Sequence, residues 1–217
     1  MRKCIAEAIG TFALVFCGTG AIIINQESGG AITHVGIAIT FGLIIATMIY
    51  AVGNISGAHL NSAVTIALFV AKKFPAKEII PYIISQAVGA FIASFILKLL
   101  FPTNQLLGTT LPAGSDIQSF ILELILTFLL MFVIIHVATG TKEQGMFAGL
   151  VIGFVVLLEA MFAGPICGAS MNPIRSLAPA VISGHTEHLW IYLLAPTLGA
   201  IIAVIFWMLM KEKENKN

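Results

Sequence analysis

Apolar residues run along this chain in blocks, without the alternation of a half-buried strand. Six blocks, at about 4–24, 34–53, 79–100, 117–138, 146–163 and 189–210, approach the roughly 20 residues that a helix needs to cross a bilayer. Two shorter blocks, about 61–70 and 172–182, are too short to cross alone. Each short block starts at a polar phrase, Ser56-Gly57-Ala58-His59-Leu60-Asn61 or Cys167-Gly168-Ala169-Ser170-Met171-Asn172. The pattern predicts an all-α membrane protein, a single domain with six transmembrane helices and two half-helices.

The composition agrees. Of 217 residues, 59% are hydrophobic and 10% charged, against about 25% charged in soluble domains. The net charge of +1 offers no basic field for nucleic acid, and no nucleophile–base pair or metal cluster points to an enzyme or a cofactor. Cys4, Cys17 and Cys167 are odd in number and widely spaced, and suggest no disulfide framework. The N-terminus imitates a signal peptide, but Glu7 interrupts its apolar stretch and Phe16 stands where a lipoprotein cleavage site wants a small residue, so it reads as the first span.

Charge orients the spans. Arg2, Lys3, Lys72, Lys73, Lys77, Lys142, Lys211, Lys213 and Lys216 all fall on one side of a six-span chain. That side is expected to be cytoplasmic, with both chain ends there and the protein in the cell membrane, plasma or inner. Lys98 can snorkel from the outer end of span three. Arg175 is left inside the apolar zone.

The chain repeats itself. Glu7-x-x-x-Thr11-Phe12 recurs as Glu123-x-x-x-Thr127-Phe128, Gly57-Ala58 as Gly168-Ala169, and Gly89-Ala90 as Gly199-Ala200. The repeats cover about 1–101 and 115–211. Three spans per repeat is an odd number, so the halves insert in opposite senses and their half-helices meet near the midplane. Paired interrupted segments of this kind point to a membrane site. Non-helical backbone at membrane depth is tolerated where protein buries it or it lines a cavity. Gly57, Ala58, His59, Gly168, Ala169 and Ser170 are thus expected to be extended and to turn carbonyls to a pore. Asn61 and Asn172 cap the half-helices through their side-chain oxygens, with NH2 donors free for the lumen. Pro173 suits the first helical position, and Ser62 in the equivalent place predicts a softer start.

At these residues the chain resembles the major intrinsic protein family, the aquaporins and aquaglyceroporins. The motifs here are Asn61-Ser62-Ala63 and Asn172-Pro173-Ile174, the second followed by Arg175; the family pattern is Asn-Pro-Ala twice. Among subfamilies it is most similar to the nodulin-26-like intrinsic proteins, through Ile32-Thr33-His34-Val35-Gly36, Gly114-Ser115-Asp116-Ile117-Gln118 and Ala163-Gly164-Pro165-Ile166-Cys167. The resemblance implies an inverted-repeat, aquaporin-like fold and a homotetramer with one pore per subunit. Ile174 in place of alanine either narrows the path or only repacks.

By family spacing, the selectivity filter falls on Phe41, Ala160, Ala169 and Arg175. Water-selective members are expected to carry histidine where Ala160 stands, so two methyls imply a wider ring. Ser176 follows the arginine, where glycerol-favouring relatives are expected to carry aspartate. The implied function is a passive channel for water and small uncharged solutes: glycerol, urea or metalloid hydroxides such as arsenous or boric acid. A near-strict water channel stays open, and an ion-coupled transporter or an adhesion role stands further off.

Several residues admit two readings. Arg175 is either a filter donor or one half of a buried ion pair. Glu7 and Glu123 are expected to hold the two loops rather than to relay protons. Glu159, beside Ala160, either pairs with a backbone N–H or titrates and gates the pore. His59 either supports its loop or touches the solute.

Overall fold

The computed structural model describes residues 1–211, and Lys213 and Lys216 lie outside the described residues. The helices are α1 (Arg2–Glu27), α2 (Thr33–Ser56), α3 (Ser62–Val70), α4 (Ala76–Leu100), α5 (Asp116–Thr139), α6 (Lys142–Met146), α7 (Ala148–Cys167), α8 (Pro173–Ser183) and α9 (Leu189–Met210). Among the described residues six of them, α1, α2, α4, α5, α7 and α9, are long and apolar enough to span a membrane. The half-helices are α3 and α8, and the chain is a multi-pass membrane protein with the inverted-repeat architecture.

Helices close on one another where glycine removes a side chain, since van der Waals packing drives association inside lipid. A Cβ on Gly89 would strike the Ala8 carbonyl and the Phe12 nitrogen. A Cβ on Gly199 would strike the Leu124 carbonyl and the Phe128 nitrogen, the same contact one repeat later. These seat α4 on α1 and α9 on α5. Between the halves, a Cβ on Gly42 would meet the Gly153 carbonyl, and one on Gly153 the Gly42 carbonyl. That mutual approach joins α2 to α7 at the centre of the molecule.

Two features differ from the sequence expectation. Ser56 and Cys167 are still helical; the helices end at Gly57 and Gly168, both left-handed with φ of 88° and 84°. The loops beyond are not simply extended, because Ala58, Leu60, Ala169 and Met171 also have positive φ, at 48°, 50°, 41° and 53°. Left-handed backbone is strained for residues with a Cβ and persists where surrounding structure fixes it.

Lys98 does more than reach for water: its Nζ donates to the Ile182 carbonyl at 2.9 Å, closing the last turn of α8. Pro165 inside α7 has no N–H for the Met161 carbonyl four residues earlier. The Nε2 of His34 lies 2.8 Å from that oxygen and satisfies it, which fixes the proton on Nε2.

Candidate functional site: the meeting point of two half-helices

Two buried carboxyl groups organise the loops. In the first half, Glu7 Oε1 accepts from Ser56 Oγ at 2.7 Å and the His59 N–H at 2.9 Å. Its Oε2 accepts from the Leu60 N–H and from Gln86 Nε2, both at 2.8 Å. In the second half, Glu123 accepts the Ser170 N–H at 2.7 Å and the Met171 N–H at 2.8 Å. The four backbone donors, of His59, Leu60, Ser170 and Met171, belong to or adjoin left-handed residues, so the carboxyls hold the strained turns in place. Two tyrosines complete the frame: Tyr82 Oη donates to the Ser56 carbonyl at 2.7 Å, and Tyr192 Oη to the Cys167 carbonyl at 2.8 Å.

Held this way, α3 and α8 meet end to end. Asn61 is extended and its Oδ1 accepts the Ala63 N–H at 2.9 Å. Asn172 Oδ1 accepts the N–H groups of Ile174 and Arg175, at 3.1 and 3.3 Å. The side-chain NH2 groups are not wholly free: Asn61 Nδ2 donates to the Met171 carbonyl at 2.7 Å, and Asn172 Nδ2 to the Leu60 carbonyl at 2.8 Å. Each asparagine thus ties its half-helix to the opposite loop and keeps one N–H in hand. Sequence spacing could not show this exchange, because it joins residues from different repeats.

Two cavities meet beside this junction, and only the first reaches the two asparagines. One, about 150 Å3, is lined by Gly57, Ala58, His59, Asn61, Ser170 and Asn172 and runs on toward Ala148. The other, about 400 Å3, is lined by Asn25, His34, Gly108, Ala160, Gly164 and Gly168. Phe41, Ala169 and Arg175 line both, so the two spaces abut at those side chains.

Arg175 is 2% exposed. One guanidinium nitrogen donates to the Gly108 carbonyl at 3.0 Å, and its carbon lies 4.9 Å from the Phe41 ring centroid. Among the described residues it forms no ion pair. Carbonyl and ring face hold the charge instead, within the usual range of cation–π contact. A Cβ on Gly18 would collide with the Phe41 ring, so that glycine makes room for it.

The remaining sequence candidates fall around this centre. Ser62, Ala63, Pro173 and Ile174 line neither cavity. Ile174 shares a buried cluster with Val15, Ala90, Ala93 and Ala178, so its bulk is repacking and not narrowing. The His59 ring packs on Phe74 and Tyr82, centroids 4.7 and 5.0 Å away, and its Nδ1 is 3.1 Å from Thr65 Oγ1. Its loop contacts coexist with a place on the cavity wall. Glu159 is 7% exposed, lines neither cavity, and neither of its oxygens bonds to a described residue, so no backbone N–H pairs with it. Tyr82, Tyr192, Gln86, Gly108 and Thr110 were not legible as site residues, since each acts through partners far away in sequence.

Comparison with known proteins agrees with this geometry. The chain is 48% identical to "Aquaporin NIP1-1" of Oryza sativa subsp. japonica, over 93% of this chain and 71% of that protein. It is 47% identical to "Nodulin-26" of Glycine max, over 93% and 74%. An X-ray structure of the aquaglyceroporin from Plasmodium falciparum superposes with a TM-score of 0.86 at 28% identity, covering 95% of this chain and 94% of that one. The family model described as "Major intrinsic protein" matches residues 1–207, and the chain belongs to that family.

Proposed function

We propose that the chain is a passive channel for water and small uncharged solutes, conducted between the two cavities past Arg175, Phe41 and the paired asparagines. One observation carries this reading: the two cavities abut at Phe41, Ala169 and Arg175 beside two half-helix N-termini tied together through Asn61 and Asn172. Each N-terminus directs roughly half a positive charge at the junction. Together with the Arg175 charge these repel cations and interrupt proton hopping, while leaving N–H donors for a neutral solute.

Ala160 and Ala169 supply only methyls where larger groups would close the ring, and Phe41 gives an apolar wall opposite the Arg175 donors. That pairing suits small polyhydroxyl solutes such as glycerol, urea-like amides and boric or arsenous acid. Because Ile174 packs away from the pore, its bulk gives no support to a strict water channel. The working form is a homotetramer in the cell membrane with both chain ends cytoplasmic, the orientation that the Lys and Arg distribution favours.

Stopped-flow light scattering on proteoliposomes tests the reading. Fast shrinkage in sucrose followed by fast re-swelling in glycerol or boric acid supports it. Shrinkage without re-swelling leaves a water channel, and no flux of either kind removes the channel.

A further inference from the structure

The halves of the site differ behind their loops. In the first half, Gln86 of α4 stands behind the junction, and its Nε2 donates to Glu7 Oε2 at 2.8 Å and lies 3.1 Å from Thr65 Oγ1. The repeat that turns Thr65 into Ser176 and Gly89 into Gly199 turns Gln86 into Pro196, which carries no side-chain donor. The second half needs a substitute, and the segment between α4 and α5 provides one. Thr110, 5% exposed, places Oγ1 2.7 Å from Ser176 Oγ. Ser176 Oγ is 2.5 Å from Ser170 Oγ, which reaches the Asn172 carbonyl at 2.9 Å.

The direction of this chain follows from its last member. A carbonyl only accepts, so the Ser170 proton goes to Asn172. Ser170 then accepts from Ser176, and Ser176 from Thr110. The row of hydroxyls therefore starts at Thr110 and ends on the backbone of the second motif asparagine. Thr110 stands two residues beyond Gly108, whose carbonyl holds Arg175. Its methyl also seats the filter loop: a Cβ on Gly168 would come within 2.9 Å of Thr110 Cγ2. The Ala113 N–H, donating to the Ile166 carbonyl at 2.9 Å, fastens the same segment.

We propose that Thr110 is a specificity-determining positioning residue, taking in the second half the place that Gln86 takes in the first. It stands on the wall of the larger cavity, with its hydroxyl turned to Ser176. It acts by holding Ser176 and Gly108 in register, so that Arg175 stays against the Gly108 carbonyl and clear of the passing solute. Without the hydroxyl the segment keeps only the Thr109–Ser183 contact and the Gly108–Arg175 bond to α8, so Gly108 loosens and the Arg175 fork swings toward the narrowest point. Solutes larger than water feel that change first. The inference rests on the channel reading above.

The test compares wild type, Thr110→Val, Thr110→Ser and Ser176→Ala, full-length, in phosphatidylcholine/phosphatidylglycerol vesicles. The readout is the ratio of glycerol to water permeability. Thr110→Val keeps the shape and removes the hydroxyl, and its ratio is expected to fall about threefold or more. Thr110→Ser restores the hydroxyl and is expected to restore the ratio, a rescue that a general loss of folding would not show. If Thr110→Val does not insert, Ser176→Ala breaks the same chain from its middle and decides by the same ratio. An unchanged ratio in the hydroxyl-less variant, or a Thr110→Ser ratio as low as it, overturns the inference while leaving the channel intact. A wild-type chain that passes neither water nor glycerol removes the channel reading and this inference together.

Discussion

Val15 and Ile174 pack in one buried cluster between α1, α4 and α8. The equivalent pair in the other repeat, Met131 and Ala63, packs in the cluster of α3, α5 and α9. A large residue meets a small one in both places, with the sizes exchanged. Ile174→Ala should therefore open a cavity and destabilise the protein by about 2–4 kcal/mol. The double variant Val15→Met with Ile174→Ala should recover much of that loss. Thermal unfolding of both in detergent checks the order, and a wider solute range in Ile174→Ala would mean that the isoleucine does touch the pore.

Ser62 opens α3 where Pro173 opens α8. Among the described residues the Ser62 N–H has no partner, as expected of a first-turn donor. The preceding Asn61 has φ of −154° and ψ of 124°, which a following proline tolerates. Ser62→Pro should stabilise by about 0.4–1 kcal/mol, chiefly by restricting the unfolded chain, and leave water flux unchanged. A lower melting temperature would show that the ring clashes with its buried surroundings.

Glu7 gathers four donors and Glu123 two backbone ones. Glutamine at either place turns one acceptor into a donor facing another donor. Each buried mismatch costs about 1–3 kcal/mol, and Glu7→Gln should be the more damaging. Melting temperatures of the two variants test the order; a milder effect at Glu7 would mean that Gln86 or Ser56 compensates.

The sequence was legible where the bilayer imposes length and where the repeat doubles a signal. Run lengths gave the six spans and two half-helices, and duplication gave the Glu7/Glu123 and Asn61/Asn172 pairs. It was not legible where contact crosses the repeats or comes from a connecting segment. No spacing rule joins Asn61 to the Met171 carbonyl, or Arg175 to the Gly108 carbonyl. The loops read as extended because short polar phrases with one glycine do not reveal that Ala58, Leu60, Ala169 and Met171 take left-handed backbone. What permits it, the carboxyl behind each loop, lies in a different helix.

Glu159 lies buried with neither oxygen bonded to a described residue. An unsatisfied buried polar group destabilises by about 1–3 kcal/mol. Glu159→Leu, similar in size and apolar, should raise the melting temperature by several degrees, at roughly 2–4 °C per kcal/mol. Water flux should stay constant between pH 5 and 8 in wild type and variant alike. A flux that responds to pH in wild type and not in Glu159→Leu would assign Glu159 the gating role.

Ala160 lines the larger cavity together with Phe41, Ala169 and Arg175. Its methyl leaves the space in which a larger side chain would face the Arg175 donors. Ala160→His puts an imidazole there and offers water a hydrogen-bond partner while removing the width that a carbon chain needs. Glycerol and boric acid flux should fall about tenfold or more, and water flux by about threefold at most, because selectivity follows pore diameter and the donors that line it. Two controls keep the result interpretable. Ala160→Val adds bulk without a polar group and should cut both fluxes, and melting temperatures show whether the variants fold. If solutes pass Ala160→His as fast as wild type, their limiting constriction lies elsewhere, and the junction at Asn61 and Asn172 is the next place to narrow.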